Sequence, residues 1–420
     1  MRQIVRSSAG ESADLQIDMR RLSFLVLLLA GIFLLVNGCA TPGLPGSRNL
    51  FYKGDLEEAE ARVESVRRAR GRNRVLFLME RGLIYHTNDR YEKSNRDLLE
   101  AARQLETLET VKVAEQTGSF FSNDLLLTYR GEPFERVLIH TYSALNFLKL
   151  RKWENALVEC KMALKELERS PFSYSQPFTN YLAGVSYEIM DEYDDARIEY
   201  EKVLKARPDI PFLKHDIERV LAGRKSSGRG ELICFIQIGK SSIKVPFEVF
   251  VPPDKRFVLP EYRSRNYLCR RAVVAVEPVC SLTVPSCGGQ MSVSSESYLL
   301  TDLESVAGKV MKERMEKEIA REVARLAAKE RISREVERES SELAGDITRI
   351  GFMLLESADT RSWQTLPAKL EVARLSLEPG TYGVRIRFLD AKSRMLEESF
   401  FEQVEVNPEK VVFLICRSVL

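Results

Sequence analysis

What this 420-residue chain has little of narrows its reading first. It has almost no net charge: 63 basic residues stand against 61 acidic ones, a formal balance of +2. Nucleic-acid binding rests on a concentrated basic face, and this balance supplies none, so no nucleic-acid partner is expected. Histidine is scarce, with only His86, His140 and His215. The first two fall in helical repeat segments, where a packed or surface imidazole is expected rather than a catalytic one. There is no G-x-S-x-G elbow, no H-E-x-x-H helix and no phosphate-cradling glycine loop. No catalytic residue, cofactor or metal ligand is therefore assigned. A long apolar run is also missing: Leu22 to Val36 gives fifteen uncharged residues, short of the ~20 that cross a bilayer.

What is there starts with that apolar run. Arg20 and Arg21 stand directly before it and Val36-Asn37-Gly38-Cys39 closes it. Basic residues, a short apolar core and small residues at the exit make a secretory signal. The exit resembles the lipobox of bacterial lipoproteins, although Asn37 stands where Ala or Ser is commoner. The resemblance implies cleavage before Cys39, whose thiol and new amine carry lipid. Anchoring then follows from burial of acyl chains, at ~0.8 kcal/mol per CH₂. Ala40, in place of an Asp that marks inner-membrane retention, implies by the same resemblance an outer-membrane site facing the periplasm. The alternative is an uncleaved anchor with an unmodified Cys39. Residues before Met19 are polar and acidic where a signal is basic, so Met19 is the expected start. Residues 1–38 are thus assigned as signal peptide and 39–48, with its Pro/Gly stretch from Thr41 to Gly46, as a lipidated tether.

Residues 49–222 read as a helical repeat array. The tetratricopeptide pattern repeats every ~34 residues as a helix-turn-helix. Its best match is Asn180, Ala183, Gly184, Tyr187, Ala196, Tyr200 and Pro208, with Tyr193 between the helices. A second copy runs Ala144, Phe147, Trp153, Ala156, Cys160, Ala163, and a third Gly82, Tyr85, Tyr91, Ser94, Leu98, Ala101. A half-unit sits at Gly54 to Val63. The copies are unevenly spaced, Gly82 to Ala144 being 62 residues and Ala144 to Gly184 40. Insertions at Thr107 to Glu135, with Phe120 and Phe121, and at Ser170 to Phe178 account for this. Such an array presents a concave surface for a protein or peptide, or else merely supports the rest of the chain. Carried over by position, its inner helices would offer Thr141, Leu145, Leu148 and Lys149, then Tyr181, Val185, Glu188 and Ile189 to a partner.

After a linker at 223–230 the period changes. ELICFIQIG, SSIKVPFEVFVP and RAVVAVEPV in 231–301, and four further segments in 358–420, are β-branched, aromatic and bounded by Gly and Pro. Six or seven short strands predict an antiparallel sandwich. Residues 302–357 form a helical insertion: a long charged amphipathic helix from Asp302 to Leu343, then a second helix from Asp346 to Ser357 packed on the sheet. Its stripe is Val306, Val310, Met315, Ile319 and Val323, with Glu313/Lys317 and Glu330/Arg334 as i,i+4 pairs. Cys280 and Cys287 either close a small disulfide loop in an oxidising periplasm or are two small buried residues, with Cys269 as an alternative partner. Asp359-Thr360-Arg361-Ser362-Trp363 reads as an ion-paired turn before the last strands.

The fold class is therefore multidomain α + β, an N-terminal TPR-like α-helical repeat array followed by a C-terminal antiparallel β-sandwich-like domain with a long inserted charged helix. Tyr129 to Leu148, Thr301 to Arg314 and Ala358 to Leu375 carry a resemblance to an uncharacterised family of bacterial tetratricopeptide-repeat lipoproteins. It implies an envelope protein and supplies no reaction. The leading expectation is a membrane-tethered interaction scaffold whose partner is an envelope protein or peptide. A structural subunit of an envelope secretion or assembly complex and a hydrolase of envelope polymers are the alternatives.

Overall fold

The computed structural model describes residues 44–66, 71–115, 128–223, 228–251, 255–279, 292–315 and 358–420, with the single positions 324, 331 and 334. The apolar run at Leu22, Cys39, the Phe120-Phe121 insertion, Cys280, Cys287, nearly all of the long helix beyond 315 and the second helix expected at 346–357 lie outside the described residues.

The helical half runs α1 (Leu44–Lys53), α2 (Leu56–Glu64), a 3-10 turn (Gly71–Asn73), α3 (Arg74–Thr87), α4 (Tyr91–Glu115), α5 (Pro133–Lys149), α6 (Trp153–Glu168), α7 (Pro177–Ile189), α8 (Tyr193–Ala206) and α9 (Phe212–Leu221). The pairs α3/α4, α5/α6 and α7/α8 close through one turn used three times. The N–H groups of Asn88, Asp89 and Arg90 donate to the carbonyls of Ile84, His86 and Tyr85. Leu150, Arg151 and Lys152 repeat the pattern on Asn146, Leu148 and Phe147, and Met190, Asp191 and Glu192 on Ser186, Glu188 and Tyr187. The middle residue of each turn, Asp89, Arg151 or Asp191, has a positive φ of 55°, 56° or 60°. A left-handed residue there takes up carbonyls that the helix end would otherwise orphan. The turns fall at the spacing of the three sequence copies. Close approach within a pair needs a small residue: a Cβ on Gly82 would lie 2.8 Å from Leu98, and one on Gly184 2.6 Å from Tyr200.

The stretch expected as a tether is shorter than its assignment. α1 begins at Leu44, with Pro45 in its first turn where a missing N–H costs nothing. Leu44 and Phe51 are buried with Ala59, Val63, Phe77 and Ile84, so apolar contact draws residues 44–48 into the folded body.

Ten strands follow among the described residues: β1 (Gly230–Ile238), β2 (Ile243–Val251), β3 (Lys255–Arg263), β4 (Arg271–Pro278), β5 (Val293–Glu296), β6 (Tyr298–Asp302), β7 (Lys369–Leu377), β8 (Gly380–Leu389), β9 (Met395–Val406) and β10 (Val411–Ser418). A helix over 303–315, α10, follows β6 and buries Val306 and Val310 of the expected stripe. One sheet has the order β10-β1-β7-β6 and the other β5-β4-β8-β9, while β2 and β3 form a separate ribbon. Leu232, Cys234 and Ile236 of β1 share an apolar cluster with Val274 of β4 and Val384 and Ile386 of β8. The opposite side of the same strand, Ile233 and Phe235, belongs to the cluster of the helices. The first sheet is thus buried on both faces, which is why β1 reads as a nearly continuous apolar run.

Two strand expectations need correction. The pairing is not wholly antiparallel, because β1 and β10 run parallel in register from Glu231↔Val411 to Ile238↔Ser418. Parallel neighbours need a long crossover, and here everything between β1 and β10 supplies it. The strand count was also low. β3 was hidden by Pro260, which sits opposite Pro246 in a ribbon with free edges that tolerate proline. β5 and β6 are only four and five residues long.

Candidate functional site

Among the polar residues of the strands that meet the helices, Gln237 of β1 and Arg374 of β7 organise the seam. Gln237 of β1 is fully buried. It accepts from the Tyr142 hydroxyl at 3.0 Å and its Nε2 lies 2.9 Å from His86 Nε2. His86 Nδ1 is 2.6 Å from Asn146 Oδ1, and Asn146 Nδ2 donates to Ser94 Oγ and Asn95 Oδ1. With Asn146 oriented by those two donations, the network assigns the His86 proton to Nδ1 and leaves Nε2 to accept from Gln237. Burial pulls the His86 pKa down to about 4 and keeps the ring neutral.

Arg374 of β7 enters a well in the helical array. Its guanidinium lies 3.4 Å from Glu188, 3.4 Å from Asp216 and 3.1 Å from Glu231, beneath the hydroxyls of Tyr181 and Tyr200. Arg219 makes a fork to Glu188 at 2.7 and 3.0 Å. Burial opposes ionisation of Glu188, but Arg374 and Arg219 outweigh it and hold its pKa at about 2.

A third key lies at the start of α5, where Glu132-Pro133-Phe134-Glu135 forms a reciprocal capping box with proline in the first turn. Glu132 is paired with Lys244 and with Arg314, the latter at 2.7 Å. Burial alone would raise its pKa, but these two cations hold it at about 2. Glu135 accepts from the N–H of Glu132 at 2.8 Å, the N–H of Trp363 at 2.7 Å and the Tyr129 hydroxyl. Burial, reinforced by the Glu132 charge, pushes Glu135 up to about 7. Glu80 likewise accepts from the N–H groups of Gln364 and Thr365 at 2.8 and 3.2 Å. Sequence reading missed this carboxylate pair, although the spacing of Glu132, Pro133 and Glu135 carries the capping signal. A pair with separated pKa values is a common acid–base arrangement. The cavity beside Glu135, lined also by Ser241, Ser362 and Tyr262, holds only about 10 Å³, room for about one water and no substrate.

Of the eight residues placed on the inner helix faces, Thr141, Leu145, Leu148, Tyr181, Val185 and Glu188 are buried inside the chain. Thr141 bonds Val137 and Thr179, Tyr181 bonds Asp216, and Glu188 holds Arg374. The first sheet lies where a free partner was expected. Leu148, Lys149 and Ile189 also line a groove of about 720 Å³. Its other walls are Arg151 and Trp153, the β9 segment Gln403–Glu405, and Glu409 to Leu414 leading into β10. Lys149 Nζ donates to the Phe413 carbonyl at 3.3 Å and Trp153 packs on the Phe413 ring.

The remaining candidates are structural in their contacts. Cys269 is a buried free thiol. Asp359 and Arg361 pair at 2.7 Å in the expected turn, and Arg361 also reaches Asn73. His140 pairs with Glu159 at 2.8 Å and the exposed His215 lies 3.6 Å from Glu218. Among the described residues no cluster of three or more His, Cys, Asp and Glu is placed to hold a metal ion. None of their helices is long and apolar enough to cross a membrane.

No family model matches the chain, and no curated protein sequence matches it. Among solved structures, the first TPR of Spaghetti (RPAP3) bound to an HSP90 peptide is similar over 36% of this chain and 94% of that one. The identity is 14% and the TM-score 0.25, a likeness too slight to carry an argument.

Proposed function

We propose that this protein is a lipid-anchored scaffold of a bacterial envelope, held at the outer membrane through Cys39 and facing the periplasm. It binds an envelope protein or peptide and performs no reaction of its own. The helix pairs are read as tetratricopeptide-like units and the two facing sheets as a sandwich. The observation that carries the binding reading is the groove of about 720 Å³ bounded by Leu148, Lys149, Ile189 and β10. With the inner helix faces packed on the protein's own sheet, the repeats act as a rigid wall for that groove. The pattern of Arg20-Arg21, the apolar run from Leu22 to Val36 and the lipobox resemblance at Val36 to Cys39 support the membrane reading.

The test combines anchoring and binding. The native chain is compared with Cys39→Ser by intact mass and membrane fractionation, and photo-cross-linkers are placed in the groove and on the exposed face of α8. Cleavage at Cys39, acyl mass, and a single cross-linked envelope protein from the groove are expected. A soluble, unacylated native chain sinks the anchor; equal cross-linking from both positions sinks the groove.

A further inference from the structure

Among the described residues β10 is the terminal strand of its sheet, with β1 on one side and no paired strand on the other. The carbonyls of Lys410 and Ser418 accept from Glu231 and Gly239 on the β1 side. Main-chain groups alternate along a strand, so Val411, Phe413 and Ile415 turn theirs outward. Four consecutive residues, Val411 to Leu414, line the groove. Side chains of neighbouring residues point to opposite faces, so all four reach one groove through the strand's edge.

From this geometry we infer that the outer edge of β10 takes up an extended, acidic peptide segment of a partner protein as an added strand. The inference rests on the scaffold reading and names its docking site. A row of amide donors and carbonyl acceptors at strand spacing is complementary to another extended main chain. Charge selects the side chains. Lys149 and Arg151 stand on the helix wall, while Glu405 and Glu409 lie toward the β9–β10 turn. The Lys149 ammonium occupies the Phe413 carbonyl, the acceptor an incoming N–H needs. Displaced by that N–H, it is free to pair with a carboxylate on the peptide. An open flat edge invites aggregation; recessed between helix turns and β9, this one admits a single chain and excludes a second sheet.

The probe is a synthetic nine-residue peptide alternating Val and Thr, with Glu at both ends and the centre. Its control is the same peptide N-methylated at alternate amides, which keeps charge and side chains but cannot pair as a strand. Both are titrated by calorimetry into the full-length chain in detergent, with hydrogen exchange read at β10. Binding of the first peptide with slowed exchange at Val411 and Phe413, and no binding of the second, is expected. Val411→Pro removes one outward N–H at a position where an edge strand accepts proline, and weakens binding by about tenfold, roughly one lost hydrogen bond. Lys149→Met weakens it by about fivefold and flattens its salt dependence. Equal binding of the methylated peptide overturns strand addition, as does the absence of binding by either peptide at millimolar concentration. If Val411→Pro impairs folding, the methylated control still decides. The assay needs no cellular partner, so failure to find one in the envelope sinks the scaffold reading and leaves strand addition separately measured.

Discussion

The two faces of the first sheet are held by different physics. Toward β4 and β8 the contact is chiefly apolar: Leu232, Cys234, Ile236, Ala373 and Leu375 meet Val274, Val276, Val384 and Ile386, with the buried Glu371, which accepts from Ser297, as an exception. Toward the helices, a similar apolar ground of Ile233, Phe235, Val372 and Phe413 is keyed by Gln237, Arg374 and the carboxylates of Glu80 and Glu135. Apolar burial is non-directional and sets how strongly two layers hold. Buried polar groups must find their partners or destabilise the fold, so they set where the layers hold. The helical array is keyed to the sheet at Gln237 and Arg374, and to the segment leading into β7 at Glu80 and Glu135.

The sharpest way to break that contrast is Arg374→Ala. It leaves Glu188, Asp216 and Glu231 without their common cation in a dry well, and is expected to cost about 3–5 kcal/mol in denaturant unfolding. Loss below 1 kcal/mol would mean that water already enters the seam. On the other face, Ile386→Ala creates a cavity and should cost about 2–4 kcal/mol. Its cost should not vary with pH, whereas the seam's should.

The pH dependence follows from the direction of each shift. His86 is depressed from 6.5 to about 4 by burial, so the unfolded chain binds the extra proton. Its contribution is fully present above 6.5 and is lost as pH falls toward 4, to on the order of 3 kcal/mol. Glu132, held at about 2, adds to acid loss below 4.5. Glu135, raised from 4.5 to about 7, acts oppositely, with stability declining as pH rises through that window. His86→Gln should remove the acid slope between 6.5 and 4 in unfolding followed by fluorescence; an unchanged slope would assign it elsewhere.

A smaller effect is expected for Glu135→Gln. One carboxylate oxygen accepts from Trp363 and the other from Glu132 and Tyr129, and an amide can replace only one of them. One N–H must then face an NH₂ group, at about 1–3 kcal/mol, read as a lower thermal midpoint. The smallest change is chemical. Burial pushes the Cys160, Cys269 and Cys416 thiols up to about 12. Mass spectrometry should find these three unalkylated in the folded chain at neutral pH and modified on unfolding.

The repeats were legible because their small residues recur at fixed offsets: Gly82, Ala144 and Gly184 face the second helix of each pair, and the turns after them share one hydrogen-bond pattern. The seam was not, because a repeat pattern specifies a face and not what covers it. The available clue was Gln237 near the end of ELICFIQIG, a polar residue in a strand whose run from Leu232 to Ile236 is too apolar to be half solvated. The groove was illegible for another reason. Its walls come from residues 148–153, 189, 403–405 and 409–414, and no local pattern joins them. Leu148, Lys149 and Ile189 were reached only because they sit at the ends of the inner helices.

The pairing of β1 with β10 also has a consequence for how the molecule is born. Glu231 lies beside Val411, so the strand at the centre of the fold waits for a neighbour made 180 residues later. Contacts that distant in sequence form slowly. Until β10 is made, β1 lacks its neighbour on that side, and the layer that seats the helices is incomplete. A chain cut short before Val411 would therefore be a client for chaperones and proteases rather than a smaller working protein.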